Sequence, residues 1–90
     1  MAKQLTILGS TGSIGTSTLA LVEGCPEQFD VRVLVAGHNA GLLAEQALRY
    51  RPDAIGLADE AGETVLRGTL AGSGIEIICG EPACIELTRR

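Results

Sequence analysis

Gln4-Leu-Thr-Ile-Leu-Gly9-Ser-Thr-Gly12-Ser-Ile-Gly15 is the stretch on which the reading of this chain turns. Gln4 to Leu8 is short, apolar and halted by a glycine, as a buried strand is. From Ser13 to about Glu23, Ile14, Thr18, Leu21 and Val22 recur at helical spacing. Between strand and helix lies Gly-x-x-Gly-x-x-Gly. It departs from Gly-x-Gly-x-x-Gly by one residue in its first interval, yet the mechanics carry over. Gly9 permits a sharp exit from the strand. Gly12 lets the backbone approach a pyrophosphate with no Cβ in the way, and Gly15 lets the helix pack on the strand. The free N–H groups of the first helical turn then face an anion, helped by the helix dipole. Ser10, Thr11 and Ser13 are expected to add hydroxyl donors.

Working outward, Pro26 cannot continue the first helix, and Asp30 to Ala36 carries three valines and a single arginine in a strand pattern. Asn39 is a good N-cap for a helix over Ala40 to Tyr50, which must end before Arg51-Pro52. Asp53 to Ala58 repeats the short apolar strand. Asp59 can cap the helix that follows, with Glu60 and Glu63 in its first turn, where the dipole favours them. Gly72-Ser-Gly ends that helix and Gly74 to Cys79 forms a fourth strand. Glu81-Pro82 opens a fourth helix, expected to be still running at Arg90. Four strict β-α units predict an α/β fold: a Rossmann-type parallel sheet of about four strands with helices on both faces, in the order 3-2-1-4. Residues 1–90 then form the first part of a dinucleotide-binding domain, truncated, with the outer edge of strand 4 unpaired.

Composition fits that reading. Glycine supplies 12 of 90 residues and aromatics only two, so the core must be built from Leu, Ile, Val and Ala with close backbone approach. A net charge of −4 argues against general nucleic-acid binding, which needs a basic face. No apolar run is long enough to span a bilayer, and the amino terminus leaves no room for a secretory signal. Cys25, Cys79 and Cys84 lack the spacing of a zinc site or disulfide framework, and read as small apolar residues of a reducing cytoplasm. The arginines are scattered, and Glu45 with Arg49 offers only an (i, i+4) pair on the second helix. No carboxylate pair, Ser-His-Asp set or metal-ligand cluster makes a reaction centre, so neither catalytic nor metal residues are expected here.

The tip of the second strand, Ala36-Gly37-His38-Asn39, discriminates between cofactors. An NAD-preferring domain places a carboxylate there to bind both ribose hydroxyls, and that charge repels a 2′-phosphate. Here no carboxylate is present. His38 can donate to a phosphate, Asn39 offers an amide, and a helix N-terminus lies beside them. NADPH is therefore expected over NADH.

Lys3 to Leu19 together with Val33-Leu-Val-Ala-Gly-His-Asn closely resembles the amino-terminal end of the 1-deoxy-D-xylulose 5-phosphate reductoisomerase family. The resemblance implies NADPH contacts at Thr11, Gly12, Ser13 and Ile14, and at Gly37, His38 and Asn39. It also implies a parent enzyme of non-mevalonate isoprenoid biosynthesis, converting 1-deoxy-D-xylulose 5-phosphate to 2-C-methyl-D-erythritol 4-phosphate. That parent would use NADPH with Mg²⁺ or Mn²⁺, would be cytoplasmic and homodimeric, and would bind neither nucleic acid nor membrane. Its metal ligands and its catalytic and carboxy-terminal domains would lie beyond residue 90, so this chain alone is not expected to be active. Two alternatives differ in class. One is another NADP-dependent Rossmann oxidoreductase such as a semialdehyde dehydrogenase, although no cysteine is placed as its nucleophile. The other is a non-catalytic NADPH-binding module.

Overall fold

The computed structural model describes residues 2–89. Its elements run β1 (Lys3–Leu8), α1 (Ser13–Gly24), β2 (Phe29–Ala36), α2 (Ala40–Tyr50), β3 (Ala54–Leu57), a 3-10 turn (Glu60–Gly62), α3 (Glu63–Thr69), β4 (Glu76–Cys79) and α4 (Glu81–Leu87). The β-α alternation is as expected, and α2 spans the residues its cap and following proline predict. Asn39 Oδ1 accepts from the Leu42 N–H at 3.2 Å, and the helix closes on Arg51 in the left-handed region just before Pro52. Strand ends shift by one or two residues from those expected, β3 spanning Ala54–Leu57 and β4 beginning at Glu76 rather than Gly74, and two helix boundaries differ. Asp59 caps the 3-10 turn rather than α3, accepting from the Ala61 N–H at 3.0 Å. The fourth helix closes at Leu87 with Thr88 as its C-cap, instead of running on; Arg90 lies outside the described residues.

All strand pairings are parallel, but the order is β1-β2-β3-β4, not 3-2-1-4. The reason lies on the face that carries α3. Right-handed crossovers that keep stepping in one direction put every connecting helix on one face of the sheet. Leu19 and Val22 of α1, Leu43, Ala44 and Ala47 of α2, and Leu66 of α3 accordingly share one core with Leu34, Ile55 and Leu57. Gly62 holds α3 there. A Cβ on Gly62 would stand 2.4 Å from Leu57 Cδ2 and 2.8 Å from Ala40 Cβ, so the turn entering α3 sits hard against α2 and β3. With α3 on the same face as α1 and α2, a right-handed crossover steps onward in the same direction instead of back over the sheet. β4 therefore lies beside β3, and β3 becomes an interior strand with all four residues buried.

Among the described residues, the opposite face is covered by α4 alone. Leu87 packs there with Val33, Ala54, Val35 and Ile78. Gly56 is what admits the helix: a Cβ at that position would lie 2.9 Å from Cys84 Sγ and 3.1 Å from Leu87 Cδ2. Helices thus occupy both faces, three on one and one on the other. Burial pushes the Cys84 and Cys79 thiols up from their ordinary value, which keeps both protonated and fits their use as apolar filler.

Arg32 and its partners lie toward the far end of the sheet from the glycine turn. The β1–β2 register slips between Leu5 and Thr6, which pair with Val31 and Val33, so Arg32 is the extra residue of a bulge. Its guanidinium is held by Asp53 at 2.8 Å and Asp30 at 3.0 Å, well away from the tip of β2. Arg49 pairs with Glu23 of α1, tying α1 to α2, rather than with Glu45 on its own helix.

The packing at Gly62 is testable. Gly62→Val should lower the unfolding free energy by about 1–3 kcal/mol in urea denaturation, as overpacking does. Gly68→Ala should raise it by about 0.5–1 kcal/mol, since Gly68 is helical with nothing within 4 Å of an added Cβ.

Candidate functional site

The turn leaving β1 is shaped by backbone hydrogen bonds. Gly9, at φ +69, takes a conformation that favours glycine. The Gly9 and Ser10 N–H groups both donate to the Val35 carbonyl, at 2.8 and 3.0 Å, and the Gly12 N–H donates to the Gly9 carbonyl at 3.0 Å. The first amide to find a helical acceptor is Thr16, bonded to the Gly12 carbonyl at 2.9 Å. Thr11, Ser13, Ile14 and Gly15 are left with no protein acceptor for their N–H groups among the described residues. The last three are the open first turn of α1, where the partial positive charge of the helix is greatest.

The three glycines have different duties. A Cβ on Gly15 would stand 2.2 Å from the Gly9 carbonyl oxygen and 2.6 Å from Ser10 Cα, backbone that cannot move aside. Gly15 is thus required for α1 to meet the turn at all. Gly12 has extended backbone (φ −82, ψ 176) that any residue adopts, and its nearest neighbour would be the Gly9 oxygen at 3.4 Å. What its missing Cβ leaves open is the space outside, not the packing inside.

Thr11 is half-buried, and Gly12, Ser13 and Ile14 are exposed at the mouth of the turn. Ser10 is not. It is fully buried and its hydroxyl has no partner, so the expected hydroxyl donors reduce to Thr11 and Ser13. At the tip of β2, Gly37, His38 and Asn39 are all exposed. Asn39 uses its amide oxygen to cap α2, which leaves its NH₂ free. The β2 tip is braced from β3: Ala58 N–H donates to the Ala36 carbonyl at 3.0 Å and Asp59 N–H to the Gly37 carbonyl at 2.8 Å. The two clusters lie at the carboxyl ends of neighbouring strands, because Leu8 of β1 is in register with Val35 of β2. A cavity of about 480 Å³ adjoins both, touching Gly9, Gly37 and Ala58 and running under Leu8, Val35 and Ile85.

One participant carried no motif. Gln46 of α2 is 6% exposed among Leu43, Ala44 and Ala47, and its Nε2 donates to the Ser10 carbonyl at 2.8 Å. The available signal was a glutamine on the apolar face of an otherwise regular amphipathic helix.

A parallel α/β sheet, a glycine turn opening onto a helix N-terminus and a second polar cluster at the next strand tip define a Rossmann-type α/β fold. Comparison carries the assignment further. The family model described as 1-deoxy-D-xylulose 5-phosphate reductoisomerase matches residues 5–90, and the chain belongs to that family. A relative of that name from Chloroherpeton thalassium is 51% identical over 88 residues, covering 98% of this chain and 23% of the relative. One from Gluconobacter oxydans is 48% identical over 84 residues, covering 93% and 21%. Among solved structures, the Zymomonas mobilis reductoisomerase in complex with NADPH superposes with a TM-score of 0.90 at 37% identity, over 96% of this chain and 23% of that one. A reductoisomerase bound to NADPH, fosmidomycin and magnesium gives 0.83 at 29% identity, over 93% and 21%. The chain therefore spans about a quarter of the length of the relatives it matches.

The division of labour among the glycines predicts opposite outcomes for one methyl group. Gly12→Ala should leave the thermal midpoint within a few degrees of the original. Gly15→Ala should cost about 3 kcal/mol or more in the same melts, because the clash is with backbone.

Proposed function

We propose that this chain is the amino-terminal part of an NADPH-binding domain and holds the adenosine 2′-phosphate and diphosphate portions of that cofactor. The observation that carries the reading is the set of amides at the start of α1, unpaired among the described residues and beside a Gly12 that keeps its flank clear. A diphosphate brings the acceptors those donors lack, and the helix dipole favours its charge. Thr11, Gly12, Ser13 and Ile14 form this half of the site. Gly37, His38 and Asn39 form the other: His38 and the Asn39 amide face the 2′-phosphate, and no carboxylate stands at the strand tip to repel it.

In the longer enzyme the cofactor supplies a hydride for converting 1-deoxy-D-xylulose 5-phosphate to 2-C-methyl-D-erythritol 4-phosphate. The residues of this chain bind and orient; they move no proton of the reaction. Among the described residues no group of three His, Cys, Asp or Glu gathers as a metal site. In this reading a divalent ion, Mg²⁺ or Mn²⁺, and the sugar-phosphate substrate are held by residues of the rest of the enzyme. The parent works in the cytoplasm as a homodimer, without nucleic acid or membrane as a partner. Among the described residues no helix is long and apolar enough to cross a bilayer.

Titration of the 90-residue chain with NADPH and with NADH, followed by cofactor fluorescence, tests the reading. NADPH should bind about tenfold tighter or more, and equal affinity would remove the 2′-phosphate argument. His38→Arg should tighten NADPH several-fold and leave NADH unchanged, because a guanidinium forks onto phosphate. Gly12→Val, tolerated by the backbone, should abolish binding of both.

A further inference from the structure

The buried Gln46 does something an apolar residue at its position could not. The rest of that buried face is Ala40, Leu43, Ala44 and Ala47, and a leucine or methionine would fill the space without burying an amide. Gln46 is enclosed with Oε1 left unpartnered, and the neighbouring Ser10 hydroxyl is unpartnered as well. Such a half-satisfied amide is costly to bury, so its one hydrogen bond, to the Ser10 carbonyl at 2.8 Å, is the feature to explain.

That carbonyl belongs to the same peptide unit as the Thr11 N–H. The described residues include no cis peptide bond. In a trans unit C=O and N–H point in opposite directions. Drawing the Ser10 oxygen inward to α2 therefore turns the Thr11 N–H outward, and this is an amide with no protein acceptor. The peptide units on either side are held by other means, through Val35 and Gly9. Among the described residues, the Ser10–Thr11 unit has only Gln46. If it flipped, a carbonyl oxygen would face the anion in place of a donor.

We infer that Gln46 is a positioning residue, which locks the Ser10–Thr11 peptide so that the Thr11 N–H serves as a donor to the diphosphate. The inference rests on the NADPH reading and adds a residue from α2 to it. The same helix carries Asn39 as its N-cap, so one rigid element sets both halves of the site.

The test uses two ligands of the 90-residue chain: NADPH, and adenosine 2′-monophosphate, which lacks the diphosphate. Gln46→Met keeps the volume and removes the donor. It should weaken NADPH about tenfold and change adenosine 2′-monophosphate less than twofold. Equal weakening of both ligands would mean that Gln46 only supports the fold, and unchanged NADPH affinity would mean that it orients nothing; either overturns the inference. A readout in the unsubstituted chain does not depend on the variant folding. In ¹⁵N-resolved NMR, the Thr11 amide proton should move downfield on saturation with NADPH and stay in place with adenosine 2′-monophosphate. A Thr11 resonance indifferent to NADPH would overturn the inference while leaving the cofactor assignment intact. Failure of the unsubstituted chain to bind NADPH would instead strike the cofactor assignment itself.

Discussion

The contact between Gly15 and the backbone of Gly9 and Ser10 is the constraint on which the rest of this molecule depends. With 2.2 Å between an added Cβ and the Gly9 oxygen, no other residue lets α1 start where it does. Because α1 starts there, its first three amides are stranded at the carboxyl edge of the sheet instead of being buried against it. The same closeness forces Ser10 inside, where its carbonyl comes within reach of Gln46. Helix, turn and second helix are thereby joined through backbone atoms, a stiffer arrangement than one made of surface side chains.

The second half of the site is placed by different means. Asn39 closes α2 with its own side chain, and the strand leading to it is fixed by pairing on both sides, to β1 and to β3. The tip at Gly37 and His38 is therefore a short exposed corner between two rigid elements. Such a corner can vary its side chains at little cost in stability, which suits the part of the proposed site that would tell related nucleotides apart. The glycine turn has no such freedom.

Local signals made much of this legible in the amino-acid order. Strand, glycine turn and helix follow from Gln4 to Val22; α2 follows from Asn39 and Pro52; and β2 from its valines. The strand order was not legible, because it depends on which face α3 takes. That choice is made by Gly62 meeting Ala40 and Leu57, a contact across elements with no periodicity to announce it. The inward turn of Ser10 was hidden for a similar reason: a serine in a glycine-rich stretch looks like a donor until the close approach of Gly15 is known. Gln46 escaped because a single polar residue on an apolar helix face has no motif. The pairing of Arg49 with Glu23 rather than Glu45 likewise follows from how α1 lies beside α2, which spacing along one helix cannot report.

The lone helix on the reverse face has a consequence for how such a sheet can be enlarged. A right-handed connection leaving α4 travels opposite to the first three, back across β3 and β2, and the first vacant hydrogen-bonding position it meets is alongside β1. A fifth parallel strand so delivered would make β1 an interior strand. The glycine turn would then stand where adjacent chain paths depart to opposite sides, the place in open α/β sheets where the loops part and leave a natural crevice.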